Sequence, residues 1–321
     1  MHFAFHIGAH KTATTSFQRS LRASSRELKE AGVSVIGKRS KKNGQELYYS
    51  KTAPLLKRAY SGNEIRLLGK AAASAIQAVC NEDKTNTIFL SDEAILGDMP
   101  GQMIGFYPHC HNILEAILDE LKPKSISISL VTRRQDTFLW SCYKQMYQLG
   151  RPLLLEEFLE RARPKDADWH DLSKRIQKVA GRKLSVTPYE KIKTRGGTKF
   201  FQDILEKSLP GTKLPNLANV GNSNVSLDLT TMLDAMAMRA NGSTMKQIQN
   251  TVLASRGKDS SKMPKILASA IMKTHHDSNM RLFADFIPEH SSKEFGYTSE
   301  EKDGPSIPKL IGKAFDNLRQ N

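Results

Sequence analysis

The chain has 321 residues, with 48 Lys and Arg against 33 Asp and Glu, which gives a formal net charge of +15. That length can bury a large core, and no apolar run approaches the roughly 20 residues that span a bilayer, so the chain reads as a soluble globular protein with no membrane span. Its charge favours anionic partners: nucleic acid, an anionic nucleotide or an acidic polymer.

No basic and apolar leader precedes the first apolar pattern, so the cytoplasm is the expected compartment. Three cysteines, Cys80, Cys110 and Cys142, are too few for a disulfide framework and lack CxxC spacing. They read as reduced, packed thiols.

Phe3, Phe5 and Ile7 alternate with Ala4 and His6, which predicts a strand over 2–8 and makes His6 a buried strand histidine. A helix is expected from Thr14 to Ala31, with Phe17, Leu21 and Leu28 on one stripe and Gly32 as its C-cap glycine. A second strand, Val33–Ile36, completes a βαβ unit, which implies parallel strands. The segment from Lys38 to Asn63 reads as loop with a short helix around Ala53–Tyr60. Its basic cluster Lys38-Arg39-Ser40-Lys41-Lys42 is either a solvated loop or a dock for an acidic ligand.

Further on, a helix is expected over Arg66–Cys80, a strand over Thr87–Leu90, a helix over Asn112–Leu121 and a buried strand over Ser125–Thr132. Helices follow at Thr137–Leu149, Leu155–Ala162 and Leu172–Val179, then a last strand, Lys183–Thr187, and a helix, Gly196–Lys207. Beyond Leu209-Pro210-Gly211 only helical patterns remain: Leu227–Arg239, Thr244–Leu253, Pro264–Met272 and His276–Phe286. Strands alternating with helices and then helices alone predict an α/β core over residues 1–215 and a helical C-terminal part over 216–321.

The chemistry concentrates after the first strand, where MHFAFHIGAHKTATTSFQRS runs from strand through a tight loop into a helix. Such a turn presents unpaired backbone N–H groups at the positive end of a helix dipole, a site for phosphate or sulfate. Two alternatives stay open on these residues: an anion loop, or Thr and Ser acting as N-caps beside a solvated Lys11. The nucleotide pattern GxxxxGK[ST] fails, since His10 and Phe5 stand at its two glycine positions.

Instead, Gly8-Ala9-His10-Lys11-Thr12-Ala13-Thr14-Thr15-Ser16 resembles the 5′-phosphosulfate loop of sulfotransferases that use 3′-phosphoadenosine 5′-phosphosulfate (PAPS). In VTRRQDTFLWSCYKQ, Arg133 ends a strand and Ser141 lies eight residues further on a helix, which resembles that family's 3′-phosphate motif. Arg-Arg-Gln-Asp followed by Ser and Tyr is particularly similar to bacterial carbohydrate-type members. The resemblance implies a three-layer P-loop-like α/β fold with a central parallel sheet. It also implies sulfuryl transfer from PAPS to a hydroxyl or amine, with 3′,5′-bisphosphoadenosine (PAP) as product and no metal.

The resemblance further implies that His10, Lys11, Thr12, Ala13, Thr14, Thr15, Ser16, Arg133 and Ser141 hold the donor, with Lys11 at the reacting centre. The acceptor it suggests is a carbohydrate, and the net positive charge suits an anionic one. Ser91-Asp92-Glu93, at the end of a strand, offers Glu93 as general base or as a turn cap; His10 is a second candidate base. Asn222–Ser226 resembles an Asn-x-Ser stretch near the nucleotide in bacterial members, whereas the GxxGxxK loop of cytosolic members is missing. His109 and His111 around Cys110 make a poor zinc set.

Two other functions remain open. A magnesium-dependent kinase or ATPase would read Ser91-Asp92-Glu93 after its apolar strand as the metal-binding carboxylate position. A nucleic-acid-binding protein is suggested by charge alone, but 7% aromatics and the lack of a recognisable module speak against nucleic acid.

Overall fold

In the computed structural model the described residues are 1–37, 41–42, 45–46, 62–83, 85–181, 184–221, 227–255 and 262–298. The short helix expected around Ala53–Tyr60, Lys38 to Ser40 of the basic cluster, and the Asn222–Ser226 stretch lie outside them.

The sheet is built from five strands: β1 (His2–His6), β2 (Val33–Gly37), β3 (Thr87–Ser91), β4 (Ser125–Thr132) and β5 (Leu184–Pro188). Their order is β2-β3-β1-β4-β5, all neighbours parallel, with Phe5 opposite Leu90 on one side and Ile128 on the other. This is the α/β fold with a central parallel sheet that the alternating pattern predicts. β1 lies in the middle, and the chain visits β2 and β3 on one side before crossing to β4, so the carboxyl end of β1 is the switch point where ligands collect in open α/β sheets.

Both faces of the sheet are buried, as parallel strands require. On one face Ala4, Phe89 and Val131 join Phe17, Leu21 and Leu28, and Phe200, Phe201, Ile204 and Leu205. Those side chains come from helix α1 (Thr14–Ala23), the helix Ser25–Glu30 after it, and the helix Gly197–Ser208. On the opposite face Phe3, Phe5, Ile88, Leu90, Ile128 and Leu130 are equally buried. Each such side chain contributes roughly 1.5–3 kcal/mol by leaving water.

Helices Gly62–Asp83 and Cys110–Leu121 approach so closely that a Cβ on Gly69 would lie 2.5 Å from the carbonyl oxygen of Ala116. The single long helix expected from Thr14 is interrupted at Ser24 (φ −102°), whose hydroxyl accepts from the Ala218 N–H at 2.8 Å. Gly32 takes the left-handed conformation (φ +81°) of a C-cap glycine.

The chain divides into two compact units. One unit holds residues 1–98, 107–133 and 170–222, and with them the sheet. The other holds 99–106, 134–169 and 223–321. In the second, the described residues after 227 form the helices Leu229–Ala240, Met245–Ala254, Lys265–Thr274 and His276–Phe286. A reciprocal amide pair fixes its interior: Gln135 donates to Asn279 Oδ1 at 2.8 Å, and Asn279 donates to Gln135 Oε1 at 3.2 Å and to the Tyr297 carbonyl at 2.8 Å. Among the described residues no helix is long and apolar enough to cross a membrane.

Candidate functional site

The loop that leaves β1 is anchored before it turns. Ile7 and Ala9 donate their N–H groups to the carbonyls of Ser129 (2.9 Å) and Val131 (3.1 Å), which extends the pairing with β4. Beneath the loop lies the buried His6 ring, with Nδ1 2.9 Å from Ser91 Oγ. Burial lowers its pKa to about 4, against a small opposing pull from Glu93, so the ring is neutral at pH 7. Gly8 is required here: a Cβ on it would stand 2.6 Å from His6 Nε2.

Lys11 (φ 65°) and Ala13 (φ 61°) are both left-handed, a conformation that costs a residue bearing a Cβ roughly 1–2 kcal/mol each. Left-handed residues among right-handed ones turn successive N–H groups toward one side, forming an anion-binding concavity. The Thr12 hydroxyl donates to the Ala9 carbonyl at 2.6 Å, so it braces the loop from within.

Helix α1 then starts without a side-chain cap. Its N-cap residue is Ala13, and its first turn carries no acidic residue. Thr14 and Ser16 are buried and Thr15 is exposed, so these residues do not act as the N-caps that one of the two sequence alternatives allowed. Thr14 Oγ1 is buried with no hydrogen-bond partner. A buried hydroxyl at an uncapped helix start is an arrangement that an anion would complete.

The other strand ends contribute unequally. After β4, Arg133 donates from Nη1 to the Lys11 carbonyl at 2.6 Å, and its guanidinium lies over the Tyr189 ring at 5.0 Å. Arg134 is instead engaged by Asp136 through Nε–Oδ1 (3.2 Å) and Nη2–Oδ2 (2.8 Å). After β3, Asp92 is the residue that caps the following turn, accepting from the Ala94 N–H at 3.0 Å. Glu93 is half-buried and accepts from Gln18 Nε2 at 3.3 Å, while the same amide donates to the Ser91 carbonyl at 2.9 Å.

His10 is half-buried and held by Tyr107, whose oxygen lies 3.3 Å from the His10 N and 3.0 Å from Nδ1. The sheet unit thus brings His10, Lys11, Thr12, Ala13, Thr14, Thr15 and Ser16 onto one loop and joins Arg133 to it. Ser141 is half-buried on the helix Gln135–Gln148, in the other unit.

Three partners of the site were not visible as motifs. Tyr107 lies 97 residues from His10 in an irregular connection, and no local pattern pairs them. Gln18 stands on α1 four residues after Thr14, on the same helical face. Tyr189 follows directly on β5, a position that inspecting every strand's carboxyl end would have found. Among the described residues no group of three or more His, Cys, Asp or Glu is arranged to hold a metal ion.

No protein-family model and no curated protein matches this chain. Among solved structures it is similar to the crystal structure of a sulfotransferase from Alicyclobacillus acidocaldarius, with a TM-score of 0.42 and 13% sequence identity, over 80% of this chain and 96% of that one.

Proposed function

We propose that the chain is a PAPS-dependent sulfotransferase acting on a hydroxyl or amine, with a carbohydrate as acceptor. The observation that carries this reading is the start of α1: two left-handed residues, no side-chain cap, and Thr14 Oγ1 buried without a partner. These residues suit a tetrahedral anion that supplies several acceptor oxygens. The sequence Lys11-Thr12-Ala13-Thr14-Thr15 resembles a 5′-phosphosulfate loop, and the Arg133 and Ser141 spacing resembles a 3′-phosphate motif.

In this reading the donor supplies an activated sulfuryl group. Lys11 and the loop amides stabilise the charge that grows on the bridging oxygen as its bond to sulfur breaks. Arg133 serves twice: its fork faces a phosphate, and its bond to the Lys11 carbonyl keeps the loop in its strained form. Glu93 takes the proton of the acceptor as the new S–O or S–N bond forms, and Gln18 orients that carboxylate. The half-buried position of Glu93 and the capping role of Asp92 both favour Glu93 for this task. The basic surface of the chain suits an anionic polysaccharide.

A calorimetric titration with bisphosphoadenosine, run beside ATP with magnesium, tests the reading. Binding of the former at micromolar concentration and not of the latter is expected. Binding of ATP with magnesium alone would transfer the site to a kinase, and retention of nucleic acid without either nucleotide would make it a binding protein.

A further inference from the structure

Tyr107 is completely buried, yet its backbone lies at φ 47°, in the left-handed region that a bulky residue avoids. The surrounding structure holds it there. Arg175 Nη1 donates to its carbonyl at 3.0 Å, the Cys110 N–H reaches the same oxygen at 3.4 Å, and Arg175 is itself fixed by Asp171 Oδ2 at 2.8 Å. Strain that the rest of a fold sustains in this way marks a side chain placed for a purpose. The side chain reaches the phosphate loop: its ring stacks on His10 at 5.8 Å and 14°, and its oxygen faces both the backbone N and Nδ1 of His10.

A phenol has one proton and two lone pairs. The His10 backbone N–H occupies a lone pair. Toward Nδ1 the bond has two possible senses, and the phenolic O–H is a good donor facing an imidazole nitrogen that is a strong acceptor. We infer that Tyr107 is a positioning residue whose hydroxyl donates to His10 Nδ1, fixing the tautomer that carries its proton on Nε2 and holding His10 as a hydrogen-bond donor to the bound anion. This rests on the reading of the loop as the donor site, and within that reading it separates His10 from the base role. A ring whose Nδ1 accepts from Tyr107 and whose Nε2 bears the proton offers an N–H to a phosphate or sulfonate oxygen. It offers no lone pair for an acceptor's proton, which leaves the base role to Glu93.

The test combines a spectroscopic and a thermodynamic arm. In ligand-free protein with 15N-labelled histidine, His10, assigned by comparison with His10→Ala, is expected to show the Nε2–H tautomer. In Tyr107→Phe it is expected to show a mixture. Calorimetry with bisphosphoadenosine should give a loss of about fivefold to tenfold for Tyr107→Phe, and a clearly smaller further loss when Tyr107→Phe is added to His10→Ala, where only the bond to the residue 10 backbone N–H is left to remove. An Nδ1–H tautomer in the parent protein, or losses that add in the double variant, would overturn the inference. Should the parent protein not bind bisphosphoadenosine at all, the donor reading fails, while the histidine spectra still decide whether Tyr107 sets the tautomer of His10.

Discussion

Two helices begin just after the carboxyl ends of neighbouring strands, and they are finished in opposite ways. The helix Gln135–Gln148, after β4, has Asp136 in its first turn, and that carboxylate accepts from the Thr137 N–H at 2.7 Å while it pairs with Arg134. Its positive end is neutralised from within the chain. Helix α1, after β1, has neither a cap nor an acid, and two strained residues lead into it. Neither helix has a side-chain bond from its N-cap residue, so what separates them is the acid in the first turn. The difference is what the proposed donor site would use: an acid-free helix start favours a negative charge supplied by a ligand.

The largest effects are expected where that ligand would be held. Lys11→Ala removes the point charge, and Arg133→Ala removes both a phosphate fork and the donor to the Lys11 carbonyl. Each should lower PAPS-dependent turnover by about 100-fold or more, with the circular dichroism spectrum and melting temperature nearly unchanged. Arg133→Lys should recover little, because an ammonium cannot serve a phosphate and a carbonyl in one plane. Turnover within threefold of the parent in either alanine variant would break the comparison.

Acid should expose what lies beneath the loop. His6 titrates near 4 in the folded chain against 6.5 ordinarily, so between those values the unfolded state binds the proton first. Stability is therefore complete above pH 6.5, falls as pH drops, and levels near pH 4. At about 1.36 kcal/mol per unit the loss is roughly 3 kcal/mol. Denaturant unfolding of the parent and of His6→Gln at a series of pH values checks this. The parent should lose its advantage over the variant across this window, and parallel curves would place the ring in a more solvated setting.

A charge introduced at the open helix start should separate stability from binding. Thr15 is exposed on the first turn of α1. Thr15→Glu would give α1 the acid that Asp136 gives the other helix. We expect a gain of about 0.3–1 kcal/mol in ligand-free stability from the dipole, with bisphosphoadenosine affinity about tenfold lower or worse through like-charge repulsion. A stabilised variant that binds as the parent does would mean that the anion sits elsewhere.

How much of this the sequence could disclose follows from the range of each interaction. Local periodicity located the helices Leu155–Ala162 and His276–Phe286 and the strand Ser125–Thr132, because burial on one face repeats every few residues. The break at Ser24 escaped, since its cause is the Ala218 N–H, which is 194 residues away. The loop's composition suggested an anion site, yet its conformation was hidden: neither Lys11 nor Ala13 signals a left-handed backbone as glycine would. Arg133 and Arg134 look alike on paper. The Asp136 bonds on Arg134, and the Lys11 carbonyl and Tyr189 ring at Arg133, separate them. Tyr107 was invisible for the same reason as Ser24: its partner is close in space alone.

The smallest effect belongs to a third helix start, which serves as a control. Ahead of Leu155–Ala162, Glu157 Oε2 accepts from the Leu154 N–H at 2.8 Å, and Arg239 grips both of its oxygens at 2.7 and 3.0 Å. The Arg239 fork lowers the Glu157 pKa to about 2 from 4.5. A depressed carboxylate contributes stability above its unfolded pKa, and that contribution fades as pH falls from 4.5 through about 2. Both side chains are partly exposed, so solvent and salt screen the pair, and Glu157→Gln should cost only about 0.2–1 kcal/mol at neutral pH. The cost should shrink at 1 M salt and vanish near pH 2. Bisphosphoadenosine affinity should stay within twofold of the parent, because this helix start is already satisfied by its own chain. A loss of affinity as large as that from Thr15→Glu would show that capped and uncapped helix starts are not functionally distinct in this protein.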